Sequence, residues 1–154
     1  RLSNMLRYVL YDCNEKNVSL EQEINYIKSY IELQRLKDDT MQNVTYDFHE
    51  ADLRLKIAPL LFIAFVENSF KHSHVEDTNQ SWIRIALKTE DSSVIFRCEN
   101  SVPDSHSAKD ATPGIGLENV KRRLQLLYPG RHQLIIEEGK ETYSVILILE
   151  ADDY

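Results

Sequence analysis

Ala58-Pro-Leu-Leu-Phe-Ile-Ala-Phe-Val-Glu-Asn-Ser-Phe-Lys-His72 is the stretch on which the reading of this chain turns. Pro59 suits the first position of a helix, where its missing N–H costs nothing. At about 100° per residue, Phe62, Ile63, Phe65, Val66 and Phe70 form one broad apolar face. Glu67, Asn68, Lys71 and His72 fall together on the opposite side, with Leu60 and Leu61 at the same azimuth two turns earlier. The spacing predicts a helix wrapped in core at its start and facing a cavity at its end. A carboxylate, an amide, an ammonium and an imidazole on one face suit a metal-bound anion better than they suit a core.

Each of those groups has a chemical use. An Asn oxygen is a hard ligand for Mg²⁺, which keeps several waters and takes phosphate oxygens as further ligands. Glu67 could orient a water or polarise a nucleophile, and Lys71 could offset phosphate charge. The plainer alternative is a Glu67–Lys71 ion pair on a partly exposed helix.

A second anion-attracting element lies downstream, at Gly114-Ile-Gly116. Small residues let backbone N–H groups approach an anion at a helix N-terminus, where the helix dipole favours negative charge. Lys121, Arg122 and Arg123 could add positive charge one to two turns on. Alone, a GxG is equally a tight turn into a helix. No GxxxxGK[ST] is present, which excludes a P-loop, and no GxGxxG follows a strand.

Outward from these two stretches, the chain reads as alternating helices and strands. Leu2, Leu6, Val9 and Leu10 share a stripe on a first helix, with Met5 beside it. Ser19-Leu-Glu-Gln22 is a capping box that opens a second helix running to about Lys37, with Leu20, Ile24, Ile27, Ile31 and Leu36 on its buried side. Two such helices suit a hairpin or dimer stalk, or ordinary packing on the core. Residues 43–49 and 53–57 read as strands before the central helix, with Val44, Tyr46 and Phe48 on one side of the first. After a polar turn at 77–81, residues 82–89 and 94–99 are strands around a turn at Asp91-Ser-Ser93. Residues 101–113 are polar and irregular, the pattern of a functional lid or a disordered loop. The helix opened by Gly114 carries Leu117, Val120, Leu124 and Leu127 and stops at Pro129-Gly130. Residues 134–137 and 143–149 form an antiparallel hairpin, and an acidic tail follows. This order predicts an α+β fold, a two-layer α/β sandwich preceded by a helical segment.

With 154 residues there is room for one domain with a real core and a short appendage. A net charge of −7 without a long basic run argues against a nucleic-acid partner. Cys13 and Cys98 form no CxxC pair and fit a reducing compartment. His72 and His74 diverge on a helix, and no cysteine stands near any of the five histidines, so no zinc site is expected. The longest apolar run, residues 58–66, is about half a membrane span. Because the first residue is Arg and the first helix is amphipathic at once, a fragment starting inside a larger protein is expected.

The order of motifs then becomes specific. Pro59 to His72 resembles the N box of the LytS-like sensor histidine kinases, and Gly114-Ile-Gly-Leu-Glu-Asn-Val-Lys-Arg-Arg-Leu124, with Tyr128 following, resembles their G2 box. Leu2-Ser-Asn-Met-Leu-Arg-Tyr8 and residues 20–36 resemble the end of the family's dimerisation and phosphoacceptor region. The resemblance implies residues 1–38 as that helical end and 39–154 as an ATP-binding catalytic domain of the Bergerat type, shared with gyrase, MutL and the heat-shock chaperone ATPases. By that resemblance Asn68 would hold Mg²⁺ between the ATP phosphates, and Glu67 would be catalytic. Lys71 and His72 would line the phosphate side, and Gly114, Ile115, Gly116 and Leu117 would close over the nucleotide. Asn119 and Arg123 also match the G2 box, without an assigned role.

Two departures accompany the match. The related kinases carry Asp-x-Gly at the adenine pocket, whereas this strand ends Arg97-Cys-Glu-Asn-Ser-Val102. Alternation from Phe96 and Cys98 puts Asn100 in the Asp position; its carbonyl can accept a hydrogen bond from the adenine amino group but lacks the charge. The second departure is the phosphoacceptor, since none of the histidines sits in the family's Pro-His-Phe-like context. The implied reaction is therefore γ-phosphoryl transfer from Mg-ATP to a histidine outside this fragment, then to a response regulator. The implied setting is a homodimeric, membrane-anchored bacterial sensor with this part on the cytoplasmic side and not itself touching the membrane. The alternatives are a degenerate nucleotide-binding or interaction module and an ATP-hydrolysing clamp.

Overall fold

A computed structural model of the chain describes residues 2–10, 16–37, 43–73, 80–102 and 115–151. The elements are, in order, α1 (Leu2–Leu10), β1 (Val18–Ser19), α2 (Leu20–Lys37), β2 (Val44–Asp47), β3 (Lys56–Ile57), α3 (Ile63–Ser73), β4 (Ile83–Glu90), β5 (Ser93–Ser101), α4 (Ile115–Leu127), β6 (His132–Glu138) and β7 (Thr142–Glu150). Five strands form one sheet in the order β2-β4-β5-β7-β6. β2 runs parallel to β4, and the other neighbours are antiparallel. The β4–β5 hairpin turns at Asp91, whose φ of 55° an aspartate side chain tolerates. Gly130 ends the α4 segment at φ 69°, where the absent Cβ removes the steric cost.

Alternation decides which face of the sheet is covered. Ile83, Ile85 and Leu87 of β4, Val94, Phe96, Cys98 and Asn100 of β5, and Val145, Leu147 and Leu149 of β7 all point inward and are buried. The helical layer lies over them: Leu20, Ile24, Ile27 and Ile31 of α2, Phe65, Val66 and Phe70 of α3, and Val120 and Leu124 of α4 belong to the same core. Phe62 stacks on Phe96 at 4.7 Å between ring centroids, with Phe65 tilted beside them. The two-layer α/β sandwich preceded by a helix is thus the fold observed.

The capping box forms as the sequence predicts. Ser19 Oγ accepts the Gln22 N–H at 3.2 Å, and Gln22 Oε1 accepts the Ser19 N–H at 3.0 Å. Three other expectations need correction. The central helix begins at Ile63, not Pro59, because Leu60 takes a φ of 61° and reverses the chain. Its N–H bonds Glu23 of α2 rather than a neighbour in its own helix, so a long-range contact overrides local propensity. Phe62 then serves as the helix start, its carbonyl accepting the N–H groups of Phe65 and Val66. The strand expected at 53–57 shrinks to Lys56–Ile57, paired with Val18–Ser19, because the Asp52 carboxylate turns the chain by accepting the Arg54 N–H. Leu36, expected in the core, is 60% exposed on the last turn of α2.

α1 packs on α2 through Tyr8, its one buried residue, whose ring meets Tyr26. The stripe of Leu2, Leu6, Val9 and Leu10 is left exposed. The expected lid at 101–113 lies almost wholly outside the described residues, as do Gly114, Cys13 and His74.

Candidate functional site

α3 and β5 run in the same direction, with Phe65 over Phe96 and Ser69 Oγ 3.0 Å from Cys98 Sγ. The next turn of α3 therefore advances toward the Asn100 end of the strand. There the packing turns polar. Asn68, Ser69 and Ser73 of α3 are buried, as are Asn100 of β5 and Ser81 just before β4. The Asn68 side chain is near enough to the Tyr143 hydroxyl to favour its charged form, and Tyr143 stands opposite Asn100 in the β5–β7 register. Burial, reinforced by the Glu138 charge, pushes the Tyr143 hydroxyl above its ordinary pKa, while Asn68 opposes that shift.

Asn100 is fully buried and half-satisfied. Its Nδ2 donates to the Ser101 carbonyl at 2.9 Å, and among the described residues its Oδ1 has no partner. Ser73 Oγ is also buried and has no partner among the described residues. A buried acceptor with nothing to accept from costs about 1–3 kcal/mol, so such a group points to a donor supplied from outside the fold.

The polar residues of α3 do not share one environment. Asn68 turns inward, His72 is half-buried, and Glu67 and Lys71 are exposed at the rim. Partial burial raises the Glu67 carboxyl above its usual range. Its charge is felt by Tyr30 of α2, whose hydroxyl is pushed up to about 12, first by burial and then by Glu67. Tyr30 is held there edge-on against Phe70. Among the described residues, the alternative Glu67–Lys71 ion pair is not formed.

α4 packs beside α3 and presents its N-terminus at Ile115–Gly116. A Cβ added to Gly116 would meet nothing within 4 Å, so the space over this turn is open. Leu117 is buried and anchors the turn to the core. The first N–H groups of a helix have no acceptor within the helix itself, and such a turn suits an anion. Two of the three basic residues farther along meet other groups. Lys121 Nζ lies 3.7 Å from Glu118, and Arg123 Nη1 donates to the Leu60 carbonyl at 3.4 Å. At about 1.5 Å of rise per residue, Arg123 is too far from the helix start to serve an anion there. The expectation that Lys121 and Arg123 reinforce the N-terminus is therefore corrected.

The donor set fits a nucleotide with a hard cation. Asn100 supplies a vacant acceptor suited to an exocyclic amine, Asn68 a carboxamide oxygen, and α4 a row of N–H groups over open space. Shallow clefts on the outer sheet face, lined by Asp47, His49, Lys88 and Arg97, contain none of these residues.

Sequence reasoning missed Tyr143, Ser73 and Glu23. Tyr143 had a signal, being the aromatic hydroxyl at the end of the inward stripe Val145, Leu147, Leu149. Glu23 had a fainter one, an acid between Leu20 and Ile24 on the apolar side of α2.

Comparison with known proteins matches these features. The histidine kinase family model matches residues 1–40. The sensor protein LytS of Enterococcus faecalis is 23% identical over 148 residues, covering 89% of this chain and 25% of that protein. The sensor protein kinase HptS of Staphylococcus aureus is 30% identical over 107 residues, covering 70% of this chain and 20% of that protein. The chain thus spans a quarter or less of the length of these curated relatives. Among solved structures, the nucleotide-free catalytic domain of histidine kinase ThkA matches with a TM-score of 0.58 at 17% identity, covering 87% of this chain and 94% of that one. ThkA in complex with the response regulator protein TrrA matches with a TM-score of 0.58 at 18% identity, covering 97% of this chain and 47% of that one. By sequence the chain is a relative of the sensor protein LytS and the sensor protein kinase HptS, and its two-layer sandwich is the fold of a histidine kinase catalytic domain.

Proposed function

We propose that this chain is the ATP-binding catalytic part of a sensor histidine kinase, residues 39–154, together with the end of its dimerisation and phosphoacceptor region, residues 1–38. It transfers the γ-phosphoryl of Mg-ATP to a histidine outside these residues, from which a response regulator takes it. The observation that carries the reading is the vacant, buried Oδ1 of Asn100, in line with Asn68 and Tyr143 at the polar end of the α3–β5 interface.

Asn100 accepts from the adenine amino group. Asn68, beside Tyr143, would supply an oxygen to Mg²⁺, which would offset phosphate charge. Lys71 and His72 face the phosphates from the rim, and Gly114, Ile115, Gly116 and Leu117 close over them with backbone N–H groups. Glu67, its carboxyl raised by partial burial, polarises the attacking imidazole of the acceptor histidine. Phosphoryl transfer asks mainly for positioning and charge stabilisation, which suits a site with few reactive groups. The full sensor is a homodimer anchored in a bacterial inner membrane, with this part on the cytoplasmic side. Among the described residues, no helix of this chain is long and apolar enough to cross a membrane.

The test is to incubate the natural gene product, phosphoacceptor region included, with γ-labelled Mg-ATP. Acid-labile, alkali-stable label on the protein is the expected result, lost in a Glu67→Gln variant. Binding of Mg-ATP without any label would instead favour a degenerate module.

A further inference from the structure

Among the described residues, only Leu60 and Asp91 take a left-handed φ without being glycine. For a leucine this conformation is strained, because the Cβ crowds the following carbonyl oxygen. Asp91 sits in a hairpin turn that suits it, whereas Leu60 is held from outside. Glu23 Oε1 accepts the Leu60 N–H at 2.7 Å, and the neighbouring Leu61 N–H also favours the charged form of the same carboxylate. Arg123 of α4 donates to the Leu60 carbonyl at 3.4 Å. Glu23 Oε2 accepts the Tyr8 hydroxyl, which brings in α1. Ala58, two residues earlier, donates its N–H to the Tyr128 hydroxyl at 2.8 Å. One strained residue is thus fixed at both its N–H and its carbonyl by side chains from two helices, with a third helix touching the same carboxylate.

We propose that Glu23 is a positioning residue whose carboxylate sets the Leu60–Leu61 turn, and through it the placement of the helix carrying Asn68, relative to the two leading helices. α3 starts only three residues after Leu60, so a shift of this turn moves Asn68 and Glu67 as a unit with their helix. The consequence for catalysis rests on the nucleotide reading of Asn68 given above.

Glu23 is only 3% exposed. Burial pushes its carboxyl up to about 7, against the Tyr8 hydroxyl, the Leu60 and Leu61 N–H groups and the Arg123 charge, which pull it down. The folded value lies above the unfolded one, so this group's stabilisation is complete below about 4.5 and is lost as pH rises through about 7. The groups facing it are Tyr8 from α1 and Arg123 from α4, with Tyr26 on its own helix in ring contact with Tyr8. All three backbone and hydroxyl partners are donors, so the ionised carboxylate holds the turn most firmly even though burying it is costly. A glutamine at this position has one fewer acceptor and no charge.

Amide exchange and the Asn68 side-chain amide signal, compared between the wild-type chain and Glu23→Gln at pH 8 and pH 6, test this. At pH 8 the Leu60 and Leu61 amides should exchange about tenfold faster in the variant, with the Phe96 amide unchanged and the Asn68 signal shifted. At pH 6, with the wild-type carboxyl largely protonated, the difference should shrink. The neutral variant should be no less stable than wild type at pH 8, which keeps the comparison on folded protein. Unchanged Leu60 and Leu61 exchange, or faster exchange with a stationary Asn68 signal, would overturn the proposal. Neither readout needs nucleotide; failure of the nucleotide reading would show separately, as no heat on adding Mg-ATP to wild type.

Discussion

Replacing Asn68 by Ala is expected to weaken Mg-ATP binding about a hundredfold, as read by titration calorimetry at saturating Mg²⁺. The carboxamide oxygen is lost to the cation. At about 1.4 kcal/mol for each tenfold, one bond to a charged group, worth about 1.5–3 kcal/mol, accounts for the loss. The fold should survive, because Asn68 lies at the polar end of the α3–β5 interface and the aromatic core lies behind it. Circular dichroism of the variant should be that of the wild type. Equal affinity in the two proteins would remove Asn68 from the site.

Phe96→Ala has the largest expected effect on stability, a loss of about 3–5 kcal/mol in urea unfolding. Phe96 is fully buried, stacks on Phe62 and touches Phe65, so it joins β5 to both the turn before α3 and the start of α3 itself. Its removal leaves a cavity under the helix that carries Asn68. A whole domain is stable by only about 5–15 kcal/mol, so a large share of that margin goes with one ring. Nucleotide affinity should fall as well, because Asn68 and Asn100 are placed by the two elements that Phe96 joins. A loss below about 1 kcal/mol would mean that the aromatic stack does not organise the core.

The sandwich was legible because its elements advertise themselves. Period-two alternation marks β4, β5 and β7 from residue to residue, and the Ser19–Gln22 box marks the start of α2. Asn100 was placed inward by the same alternation, counted from Phe96 and Cys98, and the structure buries it there. The start of α3 was not legible. Pro59 and the apolar run after it look like helix, and what ends that pattern is a carboxylate thirty-seven residues upstream in the sequence. No local rule reports such a contact. The division of α3 into an inward Asn68 and an outward Glu67 and Lys71 was not legible for a related reason. Helical periodicity gives azimuth, but whether an azimuth meets solvent or Tyr143 depends on β7, which follows some seventy residues later. Lys121 and Arg123 show the same limit, since their charges are taken by Glu118 and by the Leu60 carbonyl.

The central claim is that Asn68, Asn100 and the start of α4 surround one nucleotide hollow. Titrating the isotope-labelled chain with Mg-ATP and following its amide signals tests that claim directly. The side-chain amides of Asn68 and Asn100 and the backbone amides of Gly116 and Leu117 should shift together with a single affinity, while Ala86 and Arg97 on the outer sheet face stay still. Shifts confined to the outer face, or Asn68 and Asn100 unmoved at saturation, would contradict it.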